Sequence, residues 1–468
     1  MKPINPDVFR AYDIRGRVDR DFDPEWVEVL GRALGAYFAS RGYAAAAVGR
    51  DCRHSSPGYA EALAAGLCAT GCDVVDLGMV PTPVHYYGVR RLGLAAGVMV
   101  TASHNPPQYN GFKVWAGAGT IQDDQVREVL RIMQAGDFPA GRGVWSAHDV
   151  TPSYVEELAG LVRLDHPVKV VVDGGNGAGG ETCAALLRAA GAEVVPLFCE
   201  PDGDFPNHHP DPVIEKNALA LAERVRAEGA ACGIGLDGDG DRIGVVDEAG
   251  RMVYGDRLLA LYAREALSRV PGGMVIGDVK CSHLLFRDIA AHGGRPLMAR
   301  TGHSPMKQAL HDTGALMAGE MSGHMFFNDR FFGWDDALYA ALRLAEILSR
   351  APGTPLSGLL AGWPDTVCTP EIRSEVPAGV KFQAVQRFLE HCRGRYAPDS
   401  IDETDGARID FGDGWALVRA SNTQSALTLR FEAESQARLA EIRRLVEEPL
   451  ARIVDGLSPE SDSGAEAR

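Results

Sequence analysis

The chain has 468 residues, of which 46% are hydrophobic and 24% are charged, and its formal net charge at pH 7 is −16. These proportions are close to globular averages and no apolar run approaches a bilayer span, so a disordered chain and a membrane protein are excluded. The acidic balance disfavours nucleic acid and acidic membranes as partners, and the length predicts three or four domains.

The N-terminal segment and the cysteines indicate a cytoplasmic location. The first 16 residues contain charges and two prolines but no apolar run of signal-peptide length. The nine cysteines are an odd number scattered along the chain, so the sequence predicts neither a disulfide framework nor a zinc site.

Three segments of the chain share one pattern, at residues 44–78, 168–198 and 273–300. Each contains a short apolar strand, a turn with an aspartate, an alanine- and leucine-rich helix, a glycine break and a second strand. This order predicts right-handed βαβ units in parallel or mixed sheets.

Downstream of each unit, another apolar strand runs into a polar loop. The three loops contain "TASHN", "DGDGDR" and "GEMSGH", which are residues 101–105, 237–242 and 319–324. Ligands of α/β sheets collect at the carboxyl ends of strands, so we expect the chemistry of the protein in these loops.

The last hundred residues have a different pattern. A turn-rich hinge at 362–371 precedes a helix near 381–392, a hairpin at 407–422, a strand and an amphipathic helix at 434–448, which predict a smaller α+β unit. The polar segment 458–468 is predicted to be a disordered tail.

The predicted fold class is therefore α/β, with three related α/β domains of mixed sheets and a smaller C-terminal α+β domain. The expected domains span residues 1–149, 150–251, 252–363 and 364–457.

The segment "DGDGDR" places Asp237, Asp239 and Asp241 at alternate positions, separated by glycines that let the backbone curl. Three carboxylates this close favour a bound cation, and hard oxygen ligands suit Mg²⁺. A calcium EF-hand is disfavoured because Arg242 stands where that loop needs glycine. A solvated acidic turn is the alternative.

Ser103 follows the strand of the first loop. Serine is a poor nucleophile unless a base or metal assists it, and His104, Lys113 and the aspartate loop are candidates for that help. From these residues alone, the adjacency of serine and histidine is weak evidence, and an ordinary turn is the more frequent interpretation of such a segment.

Two further loops contain groups suited to a phosphorylated sugar. Glu320, Ser322 and His324 could contact hydroxyl groups, although an ordinary polar loop is the alternative. Near the C-terminus, the guanidinium groups of arginines and the hydroxyl groups of serine and threonine occur together in a pattern typical of phosphate binding. This second set comprises Arg419, Ser421, Asn422, Thr423 and Arg430.

Together these motifs resemble the α-D-phosphohexomutase family, in particular its bacterial phosphomannomutase/phosphoglucomutase branch. The resemblance covers nearly the whole chain, through "FRAYDIRG", "TASHNPPQYNGFK", "DGDGDR", "TGHS", "GEMSGH" and "RASNT" in the family's order. It implies four domains around a central cleft. It also implies interconversion of hexose 1-phosphate and hexose 6-phosphate, of mannose, glucose or both, through a phosphoserine enzyme and a 1,6-bisphosphate intermediate.

The resemblance also implies site roles. The implied catalytic residues are Ser103, Arg15, His104, Lys113 and Arg242, and the implied metal ligands are Ser103, Asp237, Asp239 and Asp241. The implied substrate-binding residues are Tyr12, Lys280, His303, Glu320, Ser322, His324, Arg419, Ser421, Asn422, Thr423 and Arg430. The implied cofactor is Mg²⁺, with a hexose 1,6-bisphosphate as activator. Small sugar phosphates are the expected partners, without nucleic acid or membrane; the sequence does not give the oligomeric state, and a monomer is favoured.

Three alternatives remain open at this point. A phosphoglucosamine mutase would share the motifs, a metal-dependent sugar phosphatase would use the same serine and metal, and a sugar-phosphate binding module would have no turnover. The chain departs from the family's pattern after "SNT" in the expected phosphate-binding loop. The family commonly has one residue and then a proline there, whereas this chain has Gln424 and Ser425. Serine in place of the rigid proline is expected to make this loop more flexible.

Overall fold

The structure is a computed structural model that describes residues 2–377, 379–421 and 426–457. Its strands form four separate sheets, and each sheet with its helices is called a domain here, numbered 1 to 4 in chain order. The predicted α/β fold class is confirmed, whereas the predicted disordered tail at 458–468 lies outside the described residues.

Domain 1 contains a seven-stranded mixed sheet in the order β1-β5-β4-β2-β3-β7, with β6 paired to β5. Its elements are β1 (Ile14–Arg17), α1 (Pro24–Ala39), β2 (Ala45–Arg50), α2 (Ser56–Ala69), β3 (Asp73–Met79), α3 (Thr82–Arg91), β4 (Ala96–Val100), β5 (Tyr109–Ala116), β6 (Gly119–Thr120), α4 (Asp124–Ala135) and β7 (Trp145–Ala147).

Domain 2 contains a five-stranded sheet in the order β12-β11-β10-β8-β9. Its elements are α5 (Thr151–Gly160), β8 (Lys169–Asp173), α6 (Gly180–Ala189), β9 (Glu193–Leu197), α7 (Leu219–Glu228), β10 (Cys232–Leu236), β11 (Ile243–Asp247) and β12 (Met252–Val253).

Domain 3 contains a four-stranded sheet in the order β14-β13-β15-β16. Its elements are α8 (Gly255–Arg269), β13 (Met274–Asp278), α9 (His283–Ala291), β14 (Arg295–Ala299), α10 (His303–Thr313), β15 (Met317–Gly319), β16 (Met325–Phe327), α11 (Ala337–Ser349) and α12 (Leu356–Leu359).

Domain 4 contains a six-stranded antiparallel sheet in the order β17-β22-β21-β20-β19, with β18 also paired to β22. Its elements are β17 (Val367–Cys368), β18 (Ile372–Glu375), α13 (Val380–Arg393), β19 (Ile401–Asp402), β20 (Ala407–Asp410), β21 (Gly414–Ala420), β22 (Ala426–Ala433) and α14 (Gln436–Asp455).

The sheets of domains 1 to 3 share one four-strand arrangement. In each, the first strand of the βαβ unit (β2, β8 or β13) pairs in parallel with the second (β3, β9 or β14) and with the next strand along the chain (β4, β10 or β15). That third strand then pairs in antiparallel fashion with its successor. The three polar loops singled out from the sequence therefore occupy equivalent positions, between the third strand and its antiparallel neighbour.

Domains 1 to 3 are joined by a continuous apolar core. It runs from Val84 and Met99 in domain 1 through Val170 and Leu186 in domain 2 to Leu342 on α11. Domain 4 has a core of its own, formed by its sheet with α13 and α14. The first three domains consequently form a packed frame, whereas domain 4 is the unit most able to move as a body.

The contact between domains 4 and 3 is largely polar. Arg408 stacks on Trp415, with 3.9 Å between the guanidinium carbon and the ring centroid, and donates to the carbonyl oxygens of Cys281 (2.8 Å) and Val279. A small apolar cluster of Val279, Trp415 and Leu417 lies beside these bonds. Within the described ranges, no helix has both the length and the apolar character needed to cross a bilayer.

A buried ionic network stabilises the frame beneath α11. Arg343 is fully buried and its guanidinium contacts Glu265 Oε2 at 2.7 Å and Asp329 Oδ1 at 2.9 Å. Burial opposes the ionisation of Glu265, but Arg269 and Arg343 outweigh this effect and lower its pKa to about 2. The charge of Arg343 is thus compensated inside the protein.

This network predicts an acid-dependent loss of stability. Because the pKa of Glu265 lies below its usual value of 4.5, its carboxylate stabilises the fold above that pH, and the contribution is lost as the pH falls toward 2. We expect Glu265→Gln to lower the free energy of unfolding at neutral pH by about 1–2 kcal/mol and to flatten its dependence on pH in the acid range.

Urea unfolding at a series of pH values measures this effect. The control is Asp124→Asn, since the Asp124 carboxylate is 93% exposed in its pair with Arg127 and should contribute little. The interpretation fails if the two variants have the same pH profile.

Candidate active site

The equivalent loops of domains 1 to 3 and the sheet of domain 4 surround one cleft of ≈ 1180 Å³. Fourteen of the predicted site residues line it: Tyr12, Arg15, Ser103, His104, Lys113, Arg242, Lys280, His303, Glu320, Ser322, His324, Arg419, Ser421 and Arg430. The three predicted metal-binding aspartates lie deeper and contact this lining through Ser103 and Lys113. Asn422 and Thr423, like Gln424 and Ser425, lie outside the described residues.

Ser103 sits in the turn after β4 with its side chain directed at domain 2. The residue is 2% exposed, and its backbone φ of 51° lies in the left-handed region that serine rarely adopts. Its hydroxyl donates to Asp237 Oδ2 at 2.6 Å, and His104 Nδ1 lies 3.1 Å from the Ser103 hydroxyl oxygen. The turn therefore brings the hydroxyl against the aspartate loop.

The aspartate loop is a buried, closely spaced cluster. Asp237, Asp239 and Asp241 are fully buried, and one carboxylate oxygen from each lies within 4.8 Å of the others. Burial and the charges of Asp239 and Asp241 raise the pKa of Asp237 well above its usual value. The cluster therefore needs positive charge to keep all three groups ionised.

Lys113 supplies part of that charge from β5. Its ammonium donates to Asp239 Oδ2 at 2.7 Å and also to Asp241 Oδ2. Burial alone would lower the pKa of Lys113, but these carboxylates raise it above the usual value, so the ammonium remains protonated.

The cluster also fits a divalent cation. Among the described residues, Asp239 Oδ1 and Asp241 Oδ1 are buried without a hydrogen-bond partner. Unpaired carboxylate oxygens of this kind are the ligands that Mg²⁺ prefers, and the Ser103 oxygen is close enough to join them.

Arg242 is held at the edge of this cluster by a histidine. Its Nε donates to His324 Nε2 at 2.9 Å, so the ring proton of His324 is on Nδ1. That Nδ1 lies 3.0 Å from Asp335 Oδ2, and Lys307 donates to Asp335 Oδ1 at 3.0 Å. The predicted cleft residues Arg242 and His324 therefore have partners that orient them.

The "FRAYDIRG" segment provides a second cation beside Ser103. Arg15 donates to Asn105 Oδ1 at 3.0 Å and pairs with Asp13 at 2.6 Å, while its Nε has no hydrogen-bond partner in the described part of the chain. Burial and the charges of Arg242 and Arg15 lower the pKa of His104 well below its usual value. His104 is consequently neutral at physiological pH.

The domain 3 loops form the wall opposite Ser103. Glu320 Oε1 accepts the N–H of Gly302 at 2.7 Å and its Oε2 accepts the hydroxyl of Ser322 at 2.8 Å. The His303 ring meets the Tyr12 ring edge to face, with centroids 4.9 Å apart. This wall presents a carboxylate, a hydroxyl and an imidazole to the cleft.

Domain 4 adds buried arginines to the lining of the cleft. Arg419 Nε donates to Asp405 Oδ2 at 3.0 Å, and Arg430 Nη1 donates to the carbonyl oxygen of Lys280 at 2.9 Å. Among the described residues, Arg419 Nη2 and Arg430 Nε are buried without a hydrogen-bond partner. Both guanidinium groups therefore retain donors suited to an anion.

Several residues of the site were missed by sequence reasoning. They are Asp335 and Lys307, which orient His324; Asp405, which orients Arg419; and Arg53, which contacts the Ser103 loop. The aspartate turn of each repeat is visible in the sequence and could have drawn attention to Arg53, two residues after Asp51. For the others the sequence holds no comparable signal, because their partners are distant along the chain.

The contact between the serine and aspartate loops needs glycine at position 238. A Cβ at Gly238 would lie 2.5 Å from the carbonyl oxygen of Ser103. We expect Gly238→Ala to force the loops apart and to cost about 1–3 kcal/mol of unfolding free energy. Thermal unfolding measures this change.

The matched control is Gly58→Ala, in the first turn of α2, where an added Cβ meets nothing within 4 Å. Alanine is the better helix former, so this variant should gain up to about 1 kcal/mol. Equal melting temperatures for the two variants would contradict the close contact.

Comparisons with known proteins agree with this geometry. Models of the phosphoglucomutase/phosphomannomutase alpha/beta/alpha domains I, II and III match residues 6–140, 152–250 and 254–366, and the model of the C-terminal domain matches residues 371–448. A phosphomannomutase/phosphoglucomutase of Pseudomonas aeruginosa is 43% identical over 450 residues, which cover 96% of both chains.

A second relative and a solved structure give the same result. A phosphoglucomutase of Neisseria gonorrhoeae is 43% identical over 446 residues, which cover 95% of this chain and 96% of that protein. The crystal structure of a phosphoglucomutase/phosphomannomutase family protein from Burkholderia thailandensis has a TM-score of 0.90 and 42% identity, covering 98% of this chain and 99% of that one. The resemblance predicted from the motifs is confirmed, and the chain belongs to the phosphoglucomutase/phosphomannomutase family.

Proposed function

We propose that this enzyme interconverts the 1-phosphate and 6-phosphate of a hexose, mannose, glucose or both, with Ser103 as the phosphoryl carrier. The observation that carries the proposal is the 2.6 Å contact between the Ser103 hydroxyl and Asp237, in a cleft that arginines of domain 4 also line. Ser103 supplies the reacting group, and the arginines suit the phosphate that does not react.

The metal in this proposal is Mg²⁺, held by Asp237, Asp239, Asp241 and an oxygen on Ser103. When bound, it would offset the negative charge that develops on the transferring oxygens. The carboxylate set and its unpaired oxygens support this assignment.

Cationic side chains of the protein would also offset the negative charge on the transferring phosphoryl group. Arg15, Lys113 and Arg242 line the cleft around Ser103, and each is fixed by a carboxylate or an imidazole rather than left to rotate freely. Fixed charges aimed at the transferring group stabilise it without reorganisation during the reaction.

The sugar has to present both of its oxygens in turn to Ser103. Transfer directly across the ring is incompatible with in-line displacement, so phosphorylated Ser103 first donates its phosphoryl group to the free hydroxyl of the hexose monophosphate, which gives the 1,6-bisphosphate and a free serine hydroxyl. The bisphosphate then reorients, and Ser103 takes the other phosphoryl group, which regenerates the phosphoserine and releases the isomeric monophosphate. Glu320 and Ser322 would contact ring hydroxyls, while Arg419, Ser421 and Arg430 would hold the distal phosphate in either orientation. Asn422 and Thr423 belong to the same proposed grip.

Exclusion of water favours a mutase over a sugar phosphatase. Ser103 is nearly fully buried, and domain 4, which has a separate core, can close the remaining opening. A phosphatase would instead need water at the serine.

The free thiols of all nine cysteines support the proposed cytoplasmic location.

The test of this function is turnover of glucose 1-phosphate to glucose 6-phosphate, with Mg²⁺ and catalytic glucose 1,6-bisphosphate. We expect Ser103→Ala to lower kcat by about 10³-fold or more, because the carrier hydroxyl is lost. Ser268→Ala, at an exposed serine of α8, is the control and should match the wild type.

Near wild-type turnover by Ser103→Ala would rule out the proposal. Release of inorganic phosphate faster than isomerisation would favour the phosphatase. Rates on mannose 1-phosphate, glucose 1-phosphate and glucosamine 1-phosphate decide between the hexose and amino-sugar mutases.

The metal assignment has its own test. Mg²⁺ should raise the melting temperature of the wild type, and Asp239→Asn should abolish most of that shift, because binding to the folded state alone stabilises it. The control is Asp204→Asn in the exposed His54–Asp204 pair, which should keep the full shift. Equal shifts in both variants would contradict a site at the aspartate loop.

A further inference from the structure

Arg53, outside every set of residues considered above for catalysis, has an unusual environment. It follows β2 in the turn before α2 and is fully buried. A guanidinium group has five N–H donors, and all five have acceptors here. The acceptors are Asp51 Oδ2 for Nε (3.0 Å), the carbonyl oxygens of Pro106 (2.7 Å) and Tyr109 (3.1 Å) for Nη1, and those of Ser103 (2.7 Å) and Asn105 (2.6 Å) for Nη2.

Three of these acceptors belong to the loop that carries Ser103, and the fourth is the carbonyl oxygen of Tyr109, the first residue of β5. The Pro106 carbonyl oxygen also accepts the backbone N–H of Tyr109 at 3.0 Å. The carbonyl oxygens of Ser103 and Asn105 accept from Arg53, and a buried carbonyl group left without a donor would cost free energy. The planar guanidinium group of an arginine can donate hydrogen bonds to four carbonyl oxygens at once, whereas the ammonium group of a lysine has only three N–H donors, all on one nitrogen. Arg53 thus holds the loop in one shape.

This contact bears directly on Ser103. The Ser103 peptide is strained, with φ at 51°, and its carbonyl oxygen lies between the Arg53 fork and the Gly238 backbone. Strained backbone persists only where its surroundings hold it, and the held conformation is the one that directs the hydroxyl at Asp237.

Arg53 is itself anchored to rigid structure. Asp51 Oδ1 accepts the Arg53 N–H at 3.0 Å and the Ser56 hydroxyl at 2.5 Å, where Ser56 is the first residue of α2. On the side of domain 2, the Phe205 ring covers the guanidinium at 5.1 Å.

We propose that Arg53 is a positioning residue for phosphoryl transfer, which sets the Ser103 backbone through its carbonyl oxygen. The inference rests on the proposed function, since it concerns the efficiency of Ser103 as carrier. Arg53 has no part in holding the sugar, and its replacement therefore affects the chemical step and leaves substrate affinity intact.

The test compares Arg53→Lys with Arg343→Lys. Both arginines are fully buried, but the partners of Arg343 are carboxylates of the network under α11, outside the cleft lining. We expect Arg53→Lys to lower kcat by about 100-fold with KM within about threefold, since small misplacement of a reacting group has this effect. Arg343→Lys should lower Tm with kcat within about threefold.

The phosphorylation of Ser103 by glucose 1,6-bisphosphate, followed by mass spectrometry, reports the same step without the mutase assay. Its rate should fall in Arg53→Lys and not in Arg343→Lys. The inference is overturned if Arg53→Lys keeps kcat within about threefold of the wild type, or if both variants lose kcat equally.

If Arg53→Lys does not fold, Asp51→Asn decides, because it weakens the support of Arg53 without removing the guanidinium. A loss of kcat of about tenfold at unchanged KM supports the inference, and kcat within about threefold overturns it. A wild type without mutase activity would contradict the proposed function itself, whereas an active wild type with an unaffected Arg53→Lys contradicts the inference alone.

Discussion

The active site depends on one contact across the junction of domains 1 and 2, where the Ser103 turn meets the aspartate loop. At this point the Ser103 hydroxyl donates to Asp237, the Lys113 ammonium donates to Asp239 and Asp241, and all three carboxylates are fully buried. Like charges in a buried site repel unless cations compensate them, so the loop fits the metal site proposed here beside Ser103, the proposed phosphoryl carrier. The cleft, its cations and the opposite wall are arranged around that contact.

The packing of the hydrophobic cores distinguishes domains 1 to 3 from domain 4. Domains 1 to 3 share one core, which fixes the serine, the aspartates and the Glu320 wall relative to one another. Domain 4 has a separate core and meets domain 3 through bonds such as those of Arg408. The proposed reaction, in which the sugar bisphosphate reorients, would use this combination, because the proposed reacting end has to be rigid while the end proposed to hold the distal phosphate has to release it.

The sequence was sufficient for features that depend on local pattern. The alternation of strand, helix and glycine predicted three related sheets, and it located the loops at Ser103, Asp237 and Glu320 correctly because a strand end is a local property. It could not choose between a turn and a carrier for Ser103, since that choice depends on Asp237, 134 positions away in the chain. Arg53, Asp335 and Asp405 were missed for the same reason, because their roles depend on how deeply each residue is buried and on which residues it contacts in the folded protein.

The central claim is tested most directly by anomalous diffraction from a crystal grown with Mn²⁺ in place of Mg²⁺. The account predicts one strong peak with oxygen ligands from Asp237, Asp239 and Asp241 at about 2.2 Å, and with the Ser103 oxygen or its phosphoryl group completing the set. A peak elsewhere in the cleft, or an aspartate loop without metal whose carboxylates point away from Ser103, would contradict it.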